Sequence, residues 1–125
     1  MPAWLIVFIG AGIGGVLRHL VNQATAQWFG ADFPWGTLTV NVVGSLAMGL
    51  IAGYFASWSA GSPVWRLFLA TGILGGFTTF SSFSLDIVVL FGKGEALAGA
   101  LYVTASLVLS LAGLWAGLWL IRAAT

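Results

Sequence analysis

Residues Thr71 to Asp86 read TGILGGFTTFSSFSLD, a stretch that combines paired glycines, hydroxyl side chains and three phenylalanines. It lies in the middle of an otherwise apolar segment that is long enough to cross a membrane. A bilayer helix normally closes its backbone hydrogen bonds and presents apolar side chains, so Gly75-Gly76 followed by hydroxyl residues predicts a helix broken at membrane depth. Because non-helical backbone is tolerated there only inside protein or along a polar path, the stretch is predicted to be the working part of the molecule.

The composition indicates that lipid surrounds most of the chain. Hydrophobic residues make up 60% of the 125 residues, charged residues only 6%, and the mean hydropathy is +1.06, whereas a soluble domain carries roughly a quarter charged residues. Spans of about 20 apolar residues fit four times, near 3–27, 36–57, 64–91 and 95–122. The predicted fold is one all-α membrane domain over residues 1–125, with four transmembrane helices and a break in the third.

The first apolar run has a second interpretation. Ala24-Thr25-Ala26 at its end resembles the cleavage site of a signal peptide, but no Lys or Arg precedes the run, and Arg18 and His19 interrupt it. We interpret the run as the first helix. Cysteine is absent, which excludes disulfides and thiolate metal sites.

The few charges are evenly divided between the two membrane faces. Arg66 and Arg122 lie nearest one face, and Lys93 and Arg18, toward the end of the first helix, lie nearest the other. The positive-inside rule then predicts no strong preference for either orientation, so both can coexist, although so few charges also give weak statistics. A net charge of +1 favours no nucleic acid or other polyanionic partner.

Small-residue patterns recur in all four predicted helices. Gly-x-x-x-Gly spacings begin at Gly10, Gly49, Gly72 and Gly113. This spacing lets helix backbones approach closely in lipid. Tight packing inside one subunit and contact between subunits both explain the pattern. Four short helices enclose a polar path with difficulty, which favours a dimer.

Polar side chains inside the spans require partners, because hydrocarbon offers none. Asn41 in the second helix either bonds a neighbouring helix or directs its N–H groups toward an anion. Tyr102, Ser106 and Ser110 are four residues apart and line one helix face over roughly 12 Å. A lone serine usually bonds its own backbone, but three in register favour a polar track.

The aromatic residues of the 71–86 segment also allow two interpretations. Phe77, Phe80 and Phe83 recur every three residues and either pack the helices or present their positive ring edges to an anion. No carboxylate is predicted at mid-span to bind a cation. Arg18 either collects anions at an entrance or extends to the headgroups. The serines lack a nearby base, so an enzyme is not predicted.

Three motifs together resemble a known family. GGFTTFSSFSLD (75–86), WGTLTVNVVGSL (35–46) and GGVLRHL (14–20) closely resemble the small bacterial fluoride channels, the Fluc or CrcB family, over essentially the whole chain. The resemblance implies an antiparallel, dual-topology homodimer of four-helix subunits in the bacterial inner membrane that exports fluoride passively.

The resemblance also implies roles for particular residues. Phe80, Phe83 and Asn41 correspond to the ion pathway, and Tyr102, Ser106 and Ser110 to the polar track of the fourth helix. Arg18 corresponds to a vestibule arginine. The backbone carbonyls of Gly75 and Thr78, from both subunits, correspond to ligands of a central structural Na⁺. Ser82 stands where many relatives have threonine, which keeps the hydroxyl.

Two other classes of membrane protein fit parts of the sequence. A small multidrug exporter shares four spans and dual topology, but it needs an acidic residue deep in the first helix, and residues 3–17 contain none. A membrane assembly protein explains the glycines and leaves the Thr/Ser/Phe break unexplained. Ion flux from liposomes separates the three classes.

Overall fold

The chain folds as a set of long helices. The computed structural model describes residues 1–57, without the side chain of Ser57, and 62–125. Within these residues, four helical segments are long and apolar enough to span a membrane: Ala3–Phe29 (α1), Trp35–Ser57 (α2), Pro63–Gly92 and Ala96–Ala124 (α5). The expected all-helical, four-span fold is confirmed. The expected connection at Trp58 to Pro63 lies outside the described residues except for its last two.

Most of the apolar surface of these helices faces outward. In the most apolar window of each span, at most 28% of the residues are buried inside the chain. A soluble protein would expose this surface to water at a cost of about 25 cal/mol per Å². The helices are therefore stable as a unit only where lipid or another protein covers them.

The third span is interrupted in its middle. Its first half, 63–77, which we label α3, contains wide π-helical turns over Leu67–Leu74. Thr78 and Thr79 then adopt extended backbone, with ψ angles of 157° and 112°. A second helix, α4, begins at Phe80 and ends at Gly92. The predicted break in the third helix is confirmed and lies between two half-helices.

Two helix pairs form the framework of the subunit. α1 packs along α3, and α2 packs along α5 more extensively than any other pair. Because successive spans alternate in direction, α2 and α5 run parallel to each other. The interruption therefore lies between two tightly packed pairs.

The glycine motifs are used inside the subunit. A Cβ on Gly14 would collide with the carbonyl oxygen of Ile73, and one on Gly76 with that of Ala11. In the other pair, a Cβ on Gly117 would lie 2.5 Å from the carbonyl oxygen of Leu46. The absence of side chains brings the backbones together within one chain, so of the two explanations for the spacing the structure supports intrasubunit packing.

The close approach of α1 and α3 generates a testable prediction. Gly14→Ala should destabilise the folded protein by about 3 kcal/mol, because the new methyl group overpacks backbone that cannot move aside. Gly12→Ala on the same helix is the matched control, since a Cβ there meets nothing within 4 Å. Thermal unfolding in detergent measures both variants, and equal midpoints would contradict the packing described here.

Candidate functional site

Asn41 of α2 holds the interruption in place. Its Nδ2 donates to the carbonyl oxygen of Thr79 at 3.1 Å, and its Oδ1 accepts from the Thr79 N–H at 2.8 Å. The amide thus supplies both backbone groups of Thr79 with the partners that a helix would otherwise provide. Of the two roles considered from the sequence, the interhelical hydrogen bond is the one observed. One N–H of the amide remains for another acceptor.

Thr79 also caps the helix that follows. It is buried, and its Oγ1 accepts from the Ser82 N–H at 3.2 Å and lies 3.3 Å from Ser81 Oγ. This is the usual geometry of an N-cap threonine. The positive end of the α4 dipole therefore lies at the interruption, in the middle of the span.

The same contacts free two carbonyl groups. The Thr79 N–H, which a continuous helix would direct to the Gly75 carbonyl, donates to Asn41 instead. The Ser82 N–H, which would otherwise reach the Thr78 carbonyl, donates to Thr79 Oγ1. The carbonyls of Gly75 and Thr78 thus lose their helical partners, while the N–H and hydroxyl of Thr78 both bond back into α3.

Arg18 lies closer to the middle of its helix than the sequence suggested. α1 continues to Phe29, so Arg18 is well inside the helix and not toward its end. Its Nε donates to the carbonyl oxygen of Gly76 at 3.1 Å, at the end of α3. The guanidinium satisfies a third carbonyl at the interruption, where a cation is also favoured by the helix dipole. The vestibule role stays a prediction.

A groove of about 300 Å³ opens beside the interruption. It lies between α2, α4 and α5 and brings five of the predicted pathway residues together: Asn41, Phe80, Phe83, Ser106 and Ser110. The other lining residues are Gly44, Ser45, Met48, Thr78, Thr79, Leu107 and Leu114. Every lining residue is uncharged, so the wall consists of amide, hydroxyl, aromatic and aliphatic groups.

The phenylalanines divide into two roles. Phe80 and Phe83 line the groove, with ring centroids 5.6 Å apart and planes tilted by 49°. Phe83 is buried and Phe80 is 76% exposed on the surface of the subunit. Phe77 instead approaches α2 beside Gly44 and lies outside the groove lining. The three-residue spacing therefore mixes one packing ring with two rings at the site.

Ser106 of α5 differs from several other hydroxyls of the described chain. Thr25, Thr39 and Ser84 donate to carbonyls of their own helices, as expected in membrane helices. Ser106 Oγ is buried and makes no hydrogen bond within the described residues. An unpartnered hydroxyl costs about 1–3 kcal/mol, so it points to a missing partner in the groove.

Tyr102 lies apart from the groove lining. It is fully buried, and its hydroxyl donates to Asp86 Oδ2 at 2.9 Å, while its ring packs 5.3 Å from that of Phe83. Asp86 in turn lines a second cavity of about 360 Å³, together with polar residues such as Asn22 and Lys93. Tyr102 thus lies between this end cavity and the groove.

Sequence reasoning did not select Ser45 or the contact between Asp86 and Tyr102. Ser45 lines the groove, one helical turn beyond Asn41 on α2. A spacing of four residues, the criterion applied to the fourth helix, would have selected Thr37, Asn41 and Ser45 on the second. The Asp86 contact joins separate elements, so spacing alone carries no signal for it.

Four membrane-length helices and a neutral, hydroxyl-lined groove at a helix interruption define a small membrane protein built around a polar path. Comparison with known proteins narrows this class. The family model described as "CrcB-like protein, Camphor Resistance (CrcB)" matches residues 5–118. The chain belongs to this family.

Curated relatives resemble the chain over nearly their whole length. "Fluoride-specific ion channel FluC 2" of Nitrobacter hamburgensis is 52% identical over 95% of this chain and 96% of its own. "Fluoride-specific ion channel FluC" of Rhodopseudomonas palustris is 53% identical over 98% of both chains, and that of Methylobacterium nodulans 54% over 94% of both. These names agree with the prediction that the chain is not an enzyme. The chain is a multi-pass protein of the bacterial plasma membrane.

The amide clamp at the interruption can be tested without reference to function. Asn41→Leu keeps the approximate volume but leaves the N–H and carbonyl of Thr79 without partners, which costs about 1–3 kcal/mol for each group. The temperature of thermal unfolding should fall markedly, and the rate of amide hydrogen exchange should rise around residues 78–80. Gln23→Leu removes an exposed amide from α1 as a control and should change neither. Unchanged exchange in Asn41→Leu would contradict the clamp.

Proposed function

We propose that this chain forms a fluoride-selective ion channel that lets fluoride leave the cell passively. The observation that carries the proposal is the groove beside the interruption, where the Ser106 hydroxyl is buried without a partner among uncharged lining residues. A hydroxyl donates readily to an anion. The relatives named as fluoride-specific channels give the identity of that anion.

The groove suits a small, strongly hydrated anion. Fluoride gives up its water only where close donors replace it, and here these are hydroxyls, the spare N–H of Asn41 and the positive edges of Phe80 and Phe83. The amino-terminal end of α4 adds partial positive charge at the same depth. None of these groups carries a full charge, so the anion binds without a deep energy trap, as conduction requires.

The exporter alternative receives no support from the groove. Exchange of a cationic drug for protons needs a carboxylate that the substrate can reach, and none lines the groove. The nearest acid along α4 is Asp86, which accepts a hydrogen bond from Tyr102 and belongs to the end cavity. Anion conduction therefore fits the chemistry of the groove better.

A second subunit would complete the site. Phe80, at the edge of the groove, is 76% exposed, and Gly75 is exposed on the same span. The unpaired backbone carbonyls at the interruption and the unpartnered hydroxyl beside it cannot face hydrocarbon without cost, so a protein partner is favoured. The positive residues near the helix ends are Arg66 and Arg122 on one face and Lys93 on the other, too small a difference to impose one orientation, which is compatible with an antiparallel homodimer of oppositely inserted copies.

The two freed carbonyls fit a structural Na⁺ at the centre of that dimer. Backbone oxygens at a helix interruption are typical ligands of alkali cations in membrane proteins. Gly75 and Thr78 would contribute two oxygens from each subunit, and the exposed position of Gly75 leaves room for the partner. Within the described residues no cluster of three acidic or histidine side chains offers an alternative metal site. The ion, when bound, would neutralise the converging carbonyl dipoles and join the two subunits.

Fluoride efflux from liposomes tests the proposed function and the aromatic pathway together. Wild-type protein should release fluoride and retain chloride. Phe80→Leu and Phe83→Leu should each slow fluoride release by about tenfold, roughly 1.4 kcal/mol in the barrier, because the ring edges are lost at similar volume. Phe91→Leu is the control on α4, since Phe91 lines neither cavity. Absence of fluoride efflux from folded wild-type protein would refute the channel.

Dual topology predicts complementation between oriented variants. Ala56→Lys with Ala123→Lys adds positive charge at one set of helix ends, and Gln27→Lys with Gly92→Lys at the other. Gly92 is chosen over Gly94, whose φ of 78° disfavours a side chain. Each variant alone should insert in one orientation and fail to protect cells from fluoride, while co-expression should restore protection.

The same variants test whether the proposed Na⁺ stabilises the paired subunits. Replacing Na⁺ by N-methylglucamine should lower the thermal stability of the co-expressed pair and leave each single variant unchanged, because only the pair assembles both sets of carbonyls. Full protection by one variant of verified single orientation would contradict the antiparallel dimer and its shared Na⁺.

A further inference from the structure

Ser45 occupies a position in the groove that no role has yet explained. It lies on α2 one turn beyond Asn41, and together with Ser110 and Ser106 it lines the groove. Its hydroxyl makes no hydrogen bond within the described residues, although a serine in a membrane helix usually bonds the carbonyl one turn back. The side chain is half-buried, so its hydroxyl is available to something that enters the groove.

The parallel arrangement of α2 and α5 brings Ser45 and Ser110 to the lining of the same groove. The Thr37 hydroxyl lies close to that of Tyr102 at one level of the pair. At another level, three turns away, Gly49 abuts the carbonyl of Leu114. Other contacts of the same pair join residues a few positions further apart in sequence, such as Gly53 with Ile121 and Gly117 with Gly49, so the two parallel helices are aligned to within about one turn.

Two polar ladders of equal spacing lie along these two helices. The α2 ladder consists of Thr37, Asn41 and Ser45, and the α5 ladder of Tyr102, Ser106 and Ser110. Both advance four residues, or roughly 6 Å, per step. Asn41 and Ser45 of the α2 ladder and Ser106 and Ser110 of the α5 ladder all line the groove, and of these four Ser45 and Ser110 lie furthest along their helices. Beyond this last pair the groove wall becomes apolar, with Met48 and Leu114.

We propose that Ser45 is a further anion-binding residue, which donates its hydroxyl to fluoride in the part of the groove that Ser110 also lines, next to its apolar end. The inference rests on the proposed function. An anion that leaves the level of Asn41 toward Met48 and Leu114 has no charged side chain of the groove lining to support it. The hydroxyls of Ser45 and Ser110 replace part of its hydration before the apolar end is crossed.

The test is fluoride efflux from liposomes that contain Ser45 variants. Ser45→Ala should slow fluoride release by about tenfold, the order expected when one hydrogen bond to a charged group is lost. Ser45→Thr keeps the hydroxyl and should retain most of the wild-type rate. Ser84→Ala makes the same chemical change at a hydroxyl that is already bonded to the Phe80 carbonyl and lines neither cavity, so it should leave the rate unchanged.

The outcomes separate this inference from the proposed function. Absence of fluoride efflux from wild-type protein refutes the channel, and with it the role of Ser45. Wild-type efflux with an equal rate in Ser45→Ala refutes the role of Ser45 alone. Equal losses in Ser45→Ala and Ser45→Thr would show that the position only packs. If Ser45→Ala does not fold, Ser45→Cys replaces it, because a thiol has similar volume and is a weaker donor; a wild-type rate in that variant also refutes the inference.

Discussion

The paired hydrogen bonds between the Asn41 amide and the Thr79 backbone are the interaction on which the rest of the site depends. A helix interrupted inside a bilayer exposes peptide groups that cost several kcal/mol each without partners. One side chain from a neighbouring helix satisfies both groups of Thr79, and Thr79 Oγ1 then satisfies the Ser82 N–H. The interruption is thereby stable at a depth where water is absent, and α2 is fixed in position beside it.

This single interruption produces two opposite electrostatic environments. The first turn of α4 presents N–H groups and partial positive charge, which favour an anion in the adjoining groove. The end of α3 presents carbonyls, of which Gly76 is satisfied by Arg18 and Gly75 and Thr78 are left for a cation. Proximity of the two environments gives a physical reason for the proposal that an anion path is combined with a structural cation.

The tight backbone contacts explain how so small a chain holds this arrangement. In lipid, helices gain little from burying apolar side chains, so van der Waals contact at glycine must supply the association. α1 meets α3, and α2 meets α5, through positions where a methyl group would collide with backbone. The two packed pairs position the Asn41 amide at the interruption and bring polar residues of α2 and α5 to one groove. Phe80 and the open side of the groove remain exposed on the subunit.

The sequence by itself determined that lipid surrounds the chain, how many spans it has and where the third span is interrupted. These features depend on the length of apolar segments and on the Gly75 to Ser82 pattern, which are local properties of the chain. The sequence also drew attention to Asn41 as a polar residue in an apolar span and to Ser106 and Ser110 by their spacing on one helix face, while the family resemblance assigned Phe80 and Phe83 to the ion pathway. Only the tertiary structure decided what those residues contact. Asn41 bonds Thr79, Arg18 reaches Gly76, Tyr102 bonds Asp86, and the glycines pack within one subunit. These contacts join different helices, so they depend on the direction and register of the packed pairs, which no local pattern specifies.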